Sequence, residues 1–205
     1  MKRVSPADLE AALAGSTGRV PRGGPDRIEA AVCVPIMAGP DGLRGWCIKR
    51  PDGLRHHSRE IAFPGGKPEP GDAGLVGTAL RETEEEVGVA RARLRVIGTL
   101  TPVPTATSRF TLNPVVVEVL PGAEPRPNPG EVEQLISFRL DDIFEGRVPY
   151  SAVDIGPYIS PIFEFSAGSM YGATAHVLLE LLEVYGAAAG LAMPVPRMTT
   201  TVPWA

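Results

Sequence analysis

The chain is poor in cysteine: only Cys33 and Cys47 occur among 205 residues. Both sit in apolar, strand-like contexts without metal-ligand spacing. That predicts buried free thiols in a reducing compartment, with a disulfide between them the alternative. No apolar run approaches the ~20 residues needed to span a bilayer. The N-terminus lacks a basic segment followed by an apolar one, so no secretory signal is expected and a cytoplasmic location is. A basic surplus is missing too. The net charge of −4 argues against a protein that coats nucleic acid, while leaving small nucleotide substrates open. There is no internal repeat.

What is present is ordinary for a globular chain, at 43% hydrophobic and 21% charged residues. Residues 1–205 fit one domain with a good-sized core. The 22 prolines and 23 glycines punctuate apolar runs, which makes them turn signals. Ser5-Pro6 reads as a cap and first-turn proline opening a short helix with Leu9 and Leu13 on one side. Residues 15–26 read as a connecting loop. Strands are expected at 28–37, 46–49, 94–100, 112–120, 132–140 and 162–165. Residues 50–71 form a long loop, which in a compact domain is usually functional. Residues 141–160 read as irregular, 173–185 as a helix, and 186–205 as a weakly ordered tail. Strands and helices mixed without strict alternation indicate an α+β fold.

The most informative stretch is residues 65–89, GGKPEPGDAGLVGTALRETEEEVGV. Val76, Leu80, Thr83 and Val87 recur at helical spacing and predict a packing stripe. Asp72 is placed to act in the N-terminal cap region and Gly88 to end the helix. Glu82, Glu85 and Glu86 fall at i, i+3 and i+4, so a helix crowds them onto one face, about 140° from the stripe. Three anions held that close repel unless something positive lies between them. Oxygen-only ligands at that density suit a hard cation, Mg²⁺ or Mn²⁺. Taken alone, the same pattern also describes a solvated acidic face.

These residues resemble the Nudix box, whose pattern is Gly, five residues, Glu, seven residues, then Arg-Glu-aliphatic-x-Glu-Glu-x-Gly-aliphatic. Gly66 opens it and Arg81, Glu82, Glu85, Glu86, Gly88 and Val89 close it, giving a box over 66–89. Asp72 stands in place of the first Glu, eight residues rather than seven separate it from Arg81, and Thr83 replaces the aliphatic residue. The first two departures match a subgroup similar to coenzyme A pyrophosphatases. That subgroup carries an upstream motif resembling Leu54-Arg55-His56-His57-Ser58-Arg59-Glu60-Ile61-Ala62-Phe63-Pro64-Gly65-Gly66, with Arg59 replacing its interior glycine. Downstream, Leu100-Thr101-Pro102, Asn113-Pro114-Val115, Asn128-Pro129-Gly130-Glu131-Val132 and Tyr171-Gly172-Ala173-Thr174-Ala175 look like further landmarks.

The resemblance implies an α/β/α sandwich around a mixed β-sheet and a hydrolase that attacks the diphosphate of a nucleoside derivative. Glu82, Glu85 and Glu86 are then the expected metal ligands. Glu82, Glu85 or a loop carboxylate, with Glu131 the best placed, takes the proton of the attacking water. Arg81 is expected to hold a carboxylate in orientation. Gly65 and Gly66 let the backbone come close to metal and substrate. Arg50, Arg55 and His57, with His56 and Arg59, form a basic loop suited to phosphates. Ser108 and Arg109 are secondary candidates. Coenzyme A or an acyl-CoA is the expected substrate. ADP-ribose or a dinucleotide is the alternative, and a catalytically silent binding module is a third reading. No nucleic-acid, membrane or defined oligomeric partner is indicated.

Overall fold

The computed structural model describes residues 3–15, 26–52, 60–156 and 158–203. Helix α1 (Pro6–Gly15) starts at a reciprocal cap: Asp8 N–H donates to Ser5 Oγ at 3.2 Å and Ser5 N–H donates to Asp8 Oδ2 at 3.0 Å. Leu9 and Leu13 are its buried face, as their spacing predicts.

The main sheet is mixed. Its long central strands are β1 (Ile28–Gly39), β2 (Gly42–Lys49) and β7 (Phe110–Val119), with β3 (Ile61–Ala62), β4 (Gly65–Gly66), β5 (Leu94–Thr99), β6 (Val103–Pro104) and β8 (Gln134–Arg139) completing it. The order β3-β2-β1-β7-β5 forms the path, with β4 on β1, β6 on β7 and β8 on β2. Strands β1 and β7 run parallel from Ile28↔Phe110 to Ile36↔Glu118; the other pairs are antiparallel. Both central strands are near-continuous apolar runs because both of their faces are covered.

Alternation along each strand sorts the core into two halves. Val34, Ile36, Cys47 and Val116 point to one side, where α1 and α4 (Gly172–Ala189) pack. Ala31, Cys33, Trp46, Ile48, Val115 and Val117 point to the other, against α2 (Gly74–Val87). This is the expected α/β/α arrangement on an α+β chain. Cys33 and Cys47 are buried and free, on opposite faces of the sheet, so no disulfide joins them. No helix among the described residues is long and apolar enough to cross a membrane.

Three segments differ from the sequence reading. The long loop contains the two-residue strands β3 and β4, whose partners lie far off in sequence. The irregular stretch holds α3 (Asp141–Phe144) and β9 (Tyr150–Asp154). Strand β9 joins β10 (Ile159–Phe165) and β11 (Gly168–Met170) in a second sheet, linked to the first by Phe138 and Phe165 with ring centroids 5.1 Å apart. The expected weak tail instead continues α4 to Ala189 and supplies β12 (Arg197–Thr199), parallel to β9. An edge strand outside a sequence-local hairpin leaves little mark in sequence, because its ladder partners lie elsewhere.

Candidate functional site

Helix α2 lies across the sheet with Ala79, Thr83 and Val87 buried. Val76 is not part of that stripe: it is 38% exposed, and Leu75 flanks the core in its place, beside the expected Leu80. Thr83 takes the aliphatic position without an unsatisfied hydroxyl, since its Oγ1–H donates to Ala79 carbonyl at 2.7 Å. Gly88 closes the helix in the left-handed region at φ 73°, as expected. Asp72 does not cap it. The cap residue is Ala73, with no side-chain hydrogen bond.

Asp72 instead binds Arg81. The guanidinium Nε donates to Asp72 Oδ1 at 3.1 Å, and Nη2 donates to the Lys67 carbonyl at 2.9 Å. Its Nη1 lies 2.9 Å from both Glu82 Oε1 and Glu85 Oε2. One buried cation thus ties the loop after Gly66 to two of the three clustered carboxylates. The Arg81 hydrogen bond, aided by the Glu69 N–H, holds the Asp72 carboxyl at about 2, well below its ordinary range.

The third carboxylate, Glu86, is the buried one, at 4% exposure. Its Oε2 accepts the Gly65 N–H at 3.0 Å, and Arg50 Nη1 stands 3.4 Å from its Oε1. Burial pushes its carboxyl up to about 7, with Glu82 and Glu131 adding repulsion against the pull of the Gly65 N–H and Arg50. Burial raises Glu82 likewise, Arg81 opposing and Glu85 and Glu131 reinforcing. Glu131, on a solvent-facing turn, is therefore within electrostatic reach of both helix carboxylates. Its loop is strapped to the helix end: Arg126 and Asn128 N–H groups donate to the Val87 and Glu86 carbonyls at 2.8 and 2.9 Å.

Gly65 and Gly66 face the cluster from β4. A Cβ on Gly66 would stand 2.6 Å from Glu82 Cδ, and one on Gly65 would stand 2.8 Å from Val32 Cα. The paired glycines therefore let strand backbone approach a carboxylate on one side and β1 on the other.

Of the expected site residues, Glu82, Glu85, Glu86, Glu131, Arg50, Gly65 and Gly66 come together here. Arg55 and His57, with His56 and Arg59, lie outside the described residues. Arg109 donates to the Asp26 carbonyl at 2.9 Å and Ser108 contacts Thr105 at 2.5 Å. Sequence reasoning names neither Glu60 nor Tyr171 as site residues, although Tyr171 Oη donates to Glu60 Oε1 at 3.2 Å beside Arg50. The available signal is a carboxylate lying between the basic loop and Phe63-Pro64-Gly65-Gly66.

Among the described residues, no three His, Cys, Asp or Glu side chains already converge to hold a metal ion. Glu82 and Glu85 are turned onto Arg81. The donor set still fits a hard cation. It is carboxylate oxygen throughout, with Glu82 and Glu86 close enough to repel one another. Such a cation would be held by Glu82, Glu85 and Glu86.

A mixed sheet between helices, with a carboxylate-bearing helix packed under a paired-glycine strand, defines the class of fold and site. A family model described as the NUDIX domain matches residues 27–157, and the chain belongs to that family. It is 42% identical over 87 residues to the uncharacterized Nudix hydrolase NudL of Yersinia enterocolitica, covering 42% of this chain and 44% of the relative. It is 36% identical over 116 residues to the NudL of Pectobacterium atrosepticum, covering 57% and 59%. The matched stretch thus spans about half the length of these curated relatives. A solved Nudix hydrolase from M. smegmatis, RenU, superposes with TM-score 0.46 at 21% identity, over 58% of this chain and 74% of that one.

Proposed function

We propose that the protein is a metal-dependent Nudix pyrophosphohydrolase that cleaves the diphosphate of coenzyme A or an acyl-CoA. The products are 3′,5′-ADP and 4′-phosphopantetheine or its acyl form. The observation that carries this reading is the meeting of Glu82, Glu85 and buried Glu86 with the Gly65–Gly66 backbone and Arg50. A divalent cation, Mg²⁺ or Mn²⁺, supplies water activation and neutralises charge on the phosphate oxygens when bound. The chain's own residues do the rest. A water oxygen attacks one phosphorus, the bridging P–O bond breaks, and the water's proton passes to a carboxylate. Glu82, Glu85 and Glu131 are the candidates for that proton.

Arg50 supports a phosphate reading. Its Nε is buried and hydrogen-bonds to nothing among the described residues, so the guanidinium has donor capacity for an anionic substrate. Arg55 and His57 are proposed to extend this basic surface to the 3′-phosphate. Under that assignment coenzyme A is turned over faster than its 3′-dephospho form, and Arg55→Ala erases much of the difference.

The test is a panel of coenzyme A, an acyl-CoA, ADP-ribose and dinucleotides, each with Mg²⁺ or Mn²⁺, with products resolved by mass. Cleavage of coenzyme A into the two stated products, abolished by a chelator, supports the proposal. Cleavage of ADP-ribose or a dinucleotide with coenzyme A ignored selects the other hydrolase reading. Binding without turnover anywhere selects the silent module.

A further inference from the structure

We propose that Tyr171, the residue capping α4, is a positioning residue of this site: it holds Glu60, and through Glu60 the Arg50 end of β2, against Glu86. The inference deepens the reading above, since it rests on Arg50 contacting the substrate diphosphate.

Four contacts run in series. Tyr171 Oη–H donates to Glu60 Oε1 at 3.2 Å, across 111 residues of sequence. The Glu60 carbonyl accepts the Arg50 N–H at 3.1 Å. Arg50 Nη1 lies 3.4 Å from Glu86 Oε1, and Glu86 Oε2 accepts the Gly65 N–H at 3.0 Å. Strand alternation agrees with this path. Ile61 packs into the core half beneath α1 and α4, and Ala62 packs against the α2 half. Glu60 therefore projects to the α2 side, where Arg50 also points.

Tyr171 is held on both sides. Met170 before it is fully buried at the end of β11, and Gly172 after it takes φ 62°, which turns the chain directly into the helix. The tyrosine backbone is extended at φ −145° and ψ −176°. Burial and the Glu60 carboxylate push the phenol up to about 12, so it remains a donor across the neutral range. The helix that packs on the far side of the sheet thus reaches round to the acidic face through one hydroxyl.

The experiment is a double-mutant cycle on the intact chain with Tyr171→Phe, Arg50→Met and both together. The probe is α,β-methylene-ADP with Mg²⁺, a diphosphate that cannot be cleaved at its bridge, titrated by calorimetry. Tyr171→Phe is expected to weaken binding at least about 3-fold, part of the stabilisation that one hydrogen bond to a charged acceptor gives. The double variant is expected to bind no more weakly than Arg50→Met. Glu60→Gln keeps the acceptor and is expected to retain more affinity than Glu60→Ala, which weakens binding at least as much as Tyr171→Phe. Native affinity in Tyr171→Phe, or multiplication of the two effects, overturns the proposal. Thermal midpoints of the same four proteins, without ligand, supply a readout independent of substrate identity. A double-variant drop smaller than the sum of the singles supports the coupling and strict additivity overturns it, even if the native protein binds no diphosphate and the hydrolase reading itself fails.

Discussion

Asp72 and Arg81 form the ion pair that fastens the loop after Gly66 to the carboxylate-bearing helix, with Nε 3.1 Å from Oδ1. Asp72 also accepts the Glu69 N–H and the Thr78 hydroxyl, each at 2.9 Å. Asp72, at the position where the box carries a glutamate, makes this contact across eight intervening residues.

The pair sets an acid sensitivity. The Asp72 carboxyl titrates at about 2 in the folded protein, below its ordinary value of 3.8. A depressed folded value means the unfolded chain binds the proton first. Its stabilisation is therefore full above about pH 4 and is lost as pH falls toward about 2. Urea denaturation of Asp72→Asn is expected to show a shallower stability slope over that window than the native protein. Equal slopes would refute the assignment.

The glycine pair separates fold from function. Gly66→Ala puts a methyl against the Glu82 carboxyl, the far end of a flexible side chain, so the helix can stay in place while the carboxylate moves. Gly65→Ala puts one against the Val32 backbone, which cannot move cheaply. Expected outcomes are a folded Gly66→Ala with turnover reduced at least ~10-fold and a Gly65→Ala protein with a clearly lower thermal midpoint. The reverse pattern would contradict the geometry.

Glu85→Gln is expected to lower kcat by ~10²-fold or more with the fold intact, because removing a charge from the proposed cation site weakens both ion affinity and charge stabilisation. Near-native turnover in the folded variant would remove Glu85 from the site.

Glu86 carries the opposite linkage sign from Asp72. Its folded value of about 7 lies above its ordinary 4.5, so the folded protein holds the proton more tightly. Stability without metal is then lost as pH rises from about 4.5 through about 7. Glu86→Gln should be more stable than the native chain at pH 8 under chelation, while its turnover falls. A lower midpoint at pH 8 would show that the Gly65 and Arg50 contacts outweigh the burial cost.

Arg81 is 7% exposed and serves four acceptor groups. Arg81→Met leaves their charges unmatched, and the expected loss is about 3 kcal/mol of unfolding free energy. Urea titration measures it, and a loss under about 1 kcal/mol would assign the network to solvent screening instead.

Sequence by itself determined the local features. The 3.6-residue period placed Glu82, Glu85 and Glu86 on one helix face. Gly88 ended that helix because only a residue free to enter positive φ ends it there without strain. Apolar runs marked the central strands because strands covered on both faces admit little else. Tertiary structure decided everything that depends on distant partners. Burial of Glu86 but not Glu85 follows from where β4 and Arg50 meet the helix, not from spacing along it. Asp72 became the partner of Arg81 rather than a cap, because a buried guanidinium outcompetes helix N–H groups for a carboxylate. Strands β3, β4 and β12 are too short for a period to register and exist through ladders to residues far away. The meeting of Tyr171 with Glu60 is invisible in sequence for the same reason: hydrogen bonds between residues 111 apart are set by how the layers stack.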